Sequence, residues 1–262
     1  MAVRGSGGLL LCMGLLLAMP ALAATPTDRG ECAASADKPD VGFAACSRII
    51  DDANGSVAER VKAFKNRGHG SFNSRDYDRA IADYGEAIKL SPKDAWAFAH
   101  RCEAYESKED HVAAIADCTE AIRVDSRDAW AYARRGMAWT EKGEFDQAVA
   151  DLTEAVTIDP KYAFGFGQRG QTLFRKRLIT KKGGWEPAIA DYSKGIELDP
   201  DLVWLYSARG VAYTNNRQYN LAIPDCSEVI KREPGNSGGY NCRGVAYAVS
   251  YTHLTLPTNR EV

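Results

Sequence analysis

At 262 residues the chain is long enough for one large domain or two ordinary ones, and 33 basic against 35 acidic side chains leave a formal charge of −2. That balance excludes a dedicated nucleic-acid binder, which would carry a basic excess. Hydrophobic residues at 45%, charged residues at 26% and a negative mean hydropathy exclude a disordered chain and a protein of many membrane spans.

Residues 1–23 read as a secretory signal peptide. Arg4 is their only charged side chain, an apolar run extends from Leu9 to Ala18, and Pro20 precedes the small-residue pattern Ala21-Leu22-Ala23. The run is about ten residues, short of the roughly 20 that cross a bilayer. The expectation is cleavage after Ala23, no membrane span in the mature chain, and a periplasmic or secreted bacterial protein. Cys12 follows Leu9-Leu10-Leu11, whereas lipid attachment wants a small residue there. Six cysteines remain: Cys32, Cys46, Cys102, Cys118, Cys226 and Cys242. Their even number suits an oxidising compartment. No CxxC spacing occurs among them, so structural disulfides are expected rather than a metal centre, with many connectivities open.

Beyond residues 24–60 the sequence repeats. Ala95-Trp96-Ala97-Phe98 recurs as Ala129-Trp130-Ala131-Tyr132, and Ala80-Ile81-Ala82-Asp83 as Ala114-Ile115-Ala116-Asp117, both at a shift of 34. The units run 61–94, 95–128, 129–162, 163–202, 203–236 and a truncated 237–250, the fourth longer by six residues. Each reads as two amphipathic helices, A and B, joined by a turn. Position 8 is glycine in Gly68, Gly136, Gly170, Gly210 and Gly244, and position 20 is alanine in Ala80, Ala114, Ala148, Ala188 and Ala222. Small residues there let two helix axes approach, which explains a glycine that costs about 1 kcal/mol inside a helix. An aromatic recurs at position 4 (Phe64, Phe98, Tyr132, Phe166, Tyr206, Tyr240), and proline at position 32 ends helix B (Pro92, Pro160, Pro200, Pro234).

These residues resemble the tetratricopeptide repeat, a 34-residue helix-turn-helix unit, over about 190 residues. Cys102 at position 8, Ser126 at position 32, and Gly195 and Val229 at position 27 depart from its pattern. The resemblance implies an all-α, right-handed α-solenoid of antiparallel helix pairs whose A helices line a concave groove for a protein or peptide partner. Candidate groove residues are Lys65, His69, Trp96, Glu103, Trp130, Met137, Phe164, Gln171 and Trp204. The aromatic row among them could hold an extended peptide or sugar rings, or could instead cover the end of the preceding helix B. A clamp on a C-terminal carboxylate, the best-known ligand mode of the family, is disfavoured: only Lys65 fits, and His69, Trp96 and His100 stand in the other places.

Arginine at position 7 accompanies aspartate at position 23 in every complete unit: Arg67 with Asp83, Arg101 with Asp117, Arg135 with Asp151, Arg169 with Asp191, and Arg209 with Asp225. A structural ion-pair ladder is expected rather than a row of ligand-binding arginines, within one unit or between neighbours. In the repeat frame Asp40–Asp52 resembles helix B of a degenerate first unit, with Cys32 on a short helix before it. The implied pairs are Cys32 with Cys46, Cys102 with Cys118 across one helix pair, and Cys226 with Cys242 across a unit boundary; free buried thiols are the alternative. The fourth unit's insertion places Arg175, Lys176, Arg177, Lys181 and Lys182 around Gly183-Gly184, either as an extension of helix A or as a basic loop for an anionic partner.

Residues 251–262 show no periodicity and no helix B. They resemble translated adaptor read-through, so a non-native tail is expected, the natural chain continuing with more repeats. Two motifs resemble catalytic ones by coincidence of register: Gly165-Phe-Gly167-Gln-Arg-Gly170 matches a dinucleotide fingerprint and Gly235-Asn-Ser237-Gly-Gly239 a hydrolase elbow, yet neither follows a strand. His69, His100, His111 and His253 form no ligand set. No cofactor, metal or catalytic residue is expected. The function expected is a non-catalytic exported scaffold, the alternatives being the repeat portion of a longer enzyme or an envelope polysaccharide-binding module.

Overall fold

The computed structural model describes residues 23–255; the signal-peptide reading of residues 1–22 and the tail beyond 255 lie outside the described residues. Among the described residues there are thirteen helices and no strand. A short α1 (Pro26–Ala33) and α2 (Pro39–Asp51) lead into five helical hairpins. These are α3 (Val57–Asn73) with α4 (Tyr77–Leu90), α5 (Ala95–Ser107) with α6 (His111–Val124), α7 (Ala129–Glu141) with α8 (Phe145–Ile158), α9 (Ala163–Thr180) with α10 (Glu186–Leu198), and α11 (Val203–Asn215) with α12 (Tyr219–Arg232). A single helix follows, α13 (Ser237–Thr255). The repeat pattern stops at Ser250 in mid-helix, and α13 extends past it to Thr255.

Local chemistry sets the boundaries. Asp76, Asp94, Asp110 and Asp128 accept hydrogen bonds from the third backbone N–H of the helices they precede, and Thr25 and Ser56 form capping boxes with Asp28 and Glu59. In four hairpins the A-to-B turn places position 15 in left-handed backbone: Arg75 (φ 62°), Glu109 (φ 61°), Gly143 (φ 81°) and Arg217 (φ 60°). Only one is glycine, so composition gave no signal for this turn.

In three hairpins a small residue on A meets a large one on B, and in α11 Gly210 meets the sulfurs of Cys226 and Cys242. A Cβ on Gly136 would stand 2.7 Å from Leu152 Cγ and 3.2 Å from the Ala148 carbonyl, and one on Gly170 would stand 2.9 Å from the Tyr192 ring. Gly68 faces Tyr84 in the same way. In α5 this partnership is held by sulfur, since Cys102 faces Cys118 with Cα atoms 5.5 Å apart and the sulfurs at disulfide distance. Cys32 and Cys46 (Cα 4.7 Å apart) join α1 to α2, and Cys226 and Cys242 (Cα 5.8 Å apart) join α12 to α13. The core is accordingly a file of small clusters along the stack.

The charged ladder runs along the same seam. Arg67, Arg101, Arg135, Arg169 and Arg209 each grip both carboxylate oxygens of Asp83, Asp117, Asp151, Asp191 and Asp225 in their own hairpin, at 2.6–2.9 Å. The remaining nitrogen reaches backwards: Nη1 of Arg67, Arg135, Arg169 and Arg209 donates to Ser47, Thr119, Thr153 and Ser193 on the preceding B helix. Arg101 meets Gly85 at that register. Each guanidinium also lies 5.4–5.9 Å from the position-4 ring three residues before it. That ring, expected to fill the layer above the glycine contact, thus also roofs the ion pair and shields it from water.

Candidate functional site

Consecutive A helices touch one another, from α3 with α5 to α9 with α11, while consecutive B helices do not. The A face is therefore the inner, concave one. Its N-terminal half is filled by a chain of stacked groups. Lys65 Nζ is 2.8 Å from Asp94 and lies over Trp96 at 4.6 Å. Trp96 stacks on His100 (3.6 Å between centroids) and His100 on Trp130 (4.9 Å). Arg134 closes the far end over Trp130 at 4.8 Å and is bound to Glu103 at 2.6 Å and Glu106 at 3.4 Å. His69 flanks the stack, 5.9 Å from His100.

The structure thus brings Lys65, His69, Trp96, Glu103 and Trp130 together, but as partners of one another. Two of the aromatics also pack against buried clusters that include the preceding B helix, Trp130 against the one holding Ala121 and Trp204 against the one holding Ala188 and Tyr192. Phe164 meets Trp204 edge-on at 6.1 Å. His100 and Arg134, which complete the stack, were not among the sequence candidates. They sit four residues after Trp96 and Trp130, and on a helix that spacing shares a face, which is the signal that would have found them.

Among the described residues, hollows open on the inner surface at three places. One of about 750 Å³ lies at the N-terminal end beside Val61, Lys62, Lys65, Leu90 and Trp96. A second of about 270 Å³ lies between α5, α7 and α9, against Glu106, His111, Arg134, Met137 and Gln168. A third of about 420 Å³ lies between α9 and α11, against Phe174, Tyr192, Trp204 and Val211. Gln171 and Arg175 border both of the last two. Of the sequence candidates, Met137, Gln171 and Trp204 therefore face open space in this half, joined by Phe174, Arg175 and Val211, which were missed as groove residues. Arg175 belongs to the insertion, which extends α9 to 18 residues against 13 in α7 and α11. Its cations are partly paired: Arg175 with Glu141, Lys176 with Asp146 at 2.6 Å, and Arg177 over Trp185 at 5.2 Å.

The coincidental motifs have packing explanations. Cβ atoms on Gly165, Gly167 and Gly170 would strike Tyr162, Trp204 and Tyr192 from inside α9, and Ser237 begins α13 with Asn236 Oδ1 accepting from the Gly238 and Gly239 N–H groups. Among the described residues no three His, Cys, Asp or Glu side chains gather as a metal site.

Burial shifts two groups of the stack in opposite directions. Loss of water pushes His100 down from 6.5 to about 4, against the hydrogen bond its Nδ1–H donates to the Trp96 carbonyl, with His69, Lys65 and Arg134 adding to the fall. Loss of water pushes Glu106 up from 4.5 to about 7, although Arg134 opposes this. A depressed histidine gives stability that is present above its unfolded value of 6.5 and disappears as pH falls toward 4. A raised carboxyl acts the other way, its stability being present below 4.5 and lost as pH rises through 7. The two slopes oppose each other between pH 4.5 and 6.5. His100→Gln is therefore expected to unmask a thermal midpoint that falls from pH 4.5 to 7, and Glu106→Gln one that rises from pH 4 to 6.5. Midpoints measured across this range for both variants check the assignment; parallel profiles would defeat it.

Comparison with known families and structures points to the same kind of repeat. Models described as "Tetratricopeptide repeat" match residues 129–162 and 66–94, and one described as "TPR repeat" matches 178–216. No curated protein sequence matches. Among solved structures, a MamA protein superposes with a TM-score of 0.55 at 21% identity, over 68% of this chain and 93% of that one. YrrB, described as a TPR protein with an unusual peptide-binding site, gives 0.55 at 17%, over 73% and 100%. The APC/C hetero-tetramer Cut9-Hcn1 gives 0.67 at 15%, over 80% of this chain and 40% of that one. At these identities the likeness is one of fold. With family models matching 66–94, 129–162 and 178–216 within an uninterrupted file of helical hairpins, the chain is a tetratricopeptide-repeat protein.

Proposed function

We propose that the chain is a non-catalytic scaffold, exported from a bacterial cytoplasm, that binds a protein partner as an extended peptide along the inner surface of α7, α9 and α11. The observation that carries the reading is the pair of hollows sharing Gln171 and Arg175. One is lined by charged and amide groups; the other has the aromatic walls of Phe174 and Trp204 and an exposed Val211. Adjacent polar and apolar sockets fit successive side chains of a peptide. Trp96, His100 and Trp130 occupy one another's faces, which favours a peptide over sugar rings needing free aromatic surface.

Panning a displayed library of random peptides against the chain is expected to enrich binders. Val211→Glu should weaken them at least about tenfold by placing a charge on the apolar wall, with unchanged helical circular dichroism. Enriched peptides that bind Val211→Glu equally would overturn the site.

Export accounts for the six cysteines standing as three pairs. Material collected from the periplasm should take up no alkylating label until reduced, and opening the Cys102–Cys118 loop should cost about 3 kcal/mol of unfolding free energy. Six freely labelled thiols would remove both the disulfides and the argument for export that rests on them.

A further inference from the structure

We propose that the tip of the α9–α10 hairpin docks on an anionic phospholipid bilayer, Leu178 and Ile179 entering the interface while Lys181 and Lys182 meet the headgroup phosphates. The inserted residues of the fourth unit place these groups. Helices α5, α7 and α11 start at the first position of their repeats and have 13 residues, whereas α9 starts at the same position and has 18, five more. At about 1.5 Å per residue the extra length carries the tip roughly 7 Å beyond the neighbouring turns. Residues 178–184 are all exposed there, and Lys181 (φ 57°) and Gly183 (φ 79°) take left-handed backbone as the chain turns back into α10.

Leu178 is 39% and Ile179 66% exposed, and among the described residues they are the one pair of large apolar side chains, consecutive in the chain, that both stand in solvent. The charge beside them is unspent. Lys176 is tied to Asp146 at 2.6 Å and Arg177 lies over Trp185 at 5.2 Å, but neither Lys181 nor Lys182 has a carboxylate at ion-pair distance among the described residues. Lys182 acts on Asp146 only at longer range. Glu186, the nearest acid in sequence, accepts a hydrogen bond from Asn216 at 3.2 Å. On a chain of net charge −2 the tip is thus locally cationic, the sign that an anionic membrane surface attracts. Apolar side chains at an apex with cations close behind them suit a segment that enters the headgroup boundary. A protein occupant fits poorly, since the seven exposed residues 178–184 fall far short of the roughly 20–30 a side in a stable interface, whereas a fluid bilayer moulds to a projecting turn. No helix among the described residues is long and apolar enough to cross a membrane, so the contact is peripheral.

The test is co-sedimentation of the purified chain, at low ionic strength, with vesicles of phosphatidylglycerol and phosphatidylcholine in equal parts and with vesicles of phosphatidylcholine alone. The mixed vesicles are expected to bind it at least about tenfold more strongly than the neutral ones. Ile179→Ser, which removes an apolar group from the apex without adding charge, should weaken that binding at least about fivefold. Lys181→Glu combined with Lys182→Glu should weaken it at least about tenfold. Both variants should keep their helical circular dichroism, because none of these side chains belongs to the buried cluster of the hairpin. Each variant retains residues 1–23, so a difference from the parent chain belongs to the tip. Inorganic phosphate should release the chain no more than chloride of equal ionic strength does. Binding to neither vesicle, equal binding to both, or either variant binding as the parent does would overturn the proposal. So would release by phosphate alone, which would mark an anion site, or a dimer in light scattering that Ile179→Ser dissolves, which would give the tip to a second copy. Val211→Glu, which tests the groove, should leave vesicle binding unchanged, so the two readings fail separately.

Discussion

Arg135→Ala is expected to lower unfolding free energy by about 3 kcal/mol and the thermal midpoint by roughly 5–10 °C. Arg135 bonds both oxygens of Asp151 at 2.7 Å, with side chains 19% and 11% exposed, and also donates to Thr119 of the preceding hairpin. Truncation leaves Asp151 a nearly dry carboxylate without its counter-charge, and removes a tie between two repeats. Burial decides the size. The Lys194–Glu197 pair is comparably short at 2.7 Å but 40% and 68% exposed, so Lys194→Ala should stay within about 0.5 kcal/mol. Asp151→Ala should match Arg135→Ala, and the double variant should cost little more than either, because the penalty belongs to the stranded partner. Urea unfolding of the four proteins measures this. Single-variant losses below about 1 kcal/mol would show that water solvates the seam, and the ladder would no longer count as structural.

One substitution at one repeat position should have opposite signs in two hairpins. Gly136→Ala gains about 1 kcal/mol of helix propensity but drives a methyl to 2.7 Å from Leu152 Cγ and 3.2 Å from a backbone carbonyl. Leu152 is fully buried and cannot swing away. Overpacking of this kind costs about 1–3 kcal/mol, so the net change is a loss, and Gly136→Leu should lose considerably more. Gly244→Ala pays no steric penalty, since nothing stands within 4 Å, and should gain up to about 1 kcal/mol. Equal effects at the two sites, measured by denaturant midpoint, would mean that helix propensity rather than packing sets the glycine's value.

The sign reversal marks where sequence stops informing. A glycine at position 8 reads alike in α7 and α13; only the presence of Leu152 above one and of nothing above the other separates them. The groove candidates divide on the same ground. The resemblance places Trp96 and Trp130 on the groove face, yet how far their rings are free depends on His100 and Arg134 lying between and beside them. Met137 and Gln171, at position 9 of their units, border open space.

The period of 34 and the helical hairpins were legible in the chain itself, as was a fixed spacing for the small-residue seam, for the arginine and aspartate positions and for the cysteines. Each joins residues of one hairpin or of immediate neighbours, so a fixed sequence separation is enough to express the contact. The backward reach of Arg135 to Thr119, the closure of the aromatic stack and the two open sockets beside Gln171 were decided by tertiary structure alone. They depend on how far each hairpin turns against the last and on which volumes side chains from separate helices leave empty, and neither quantity is carried by any single segment.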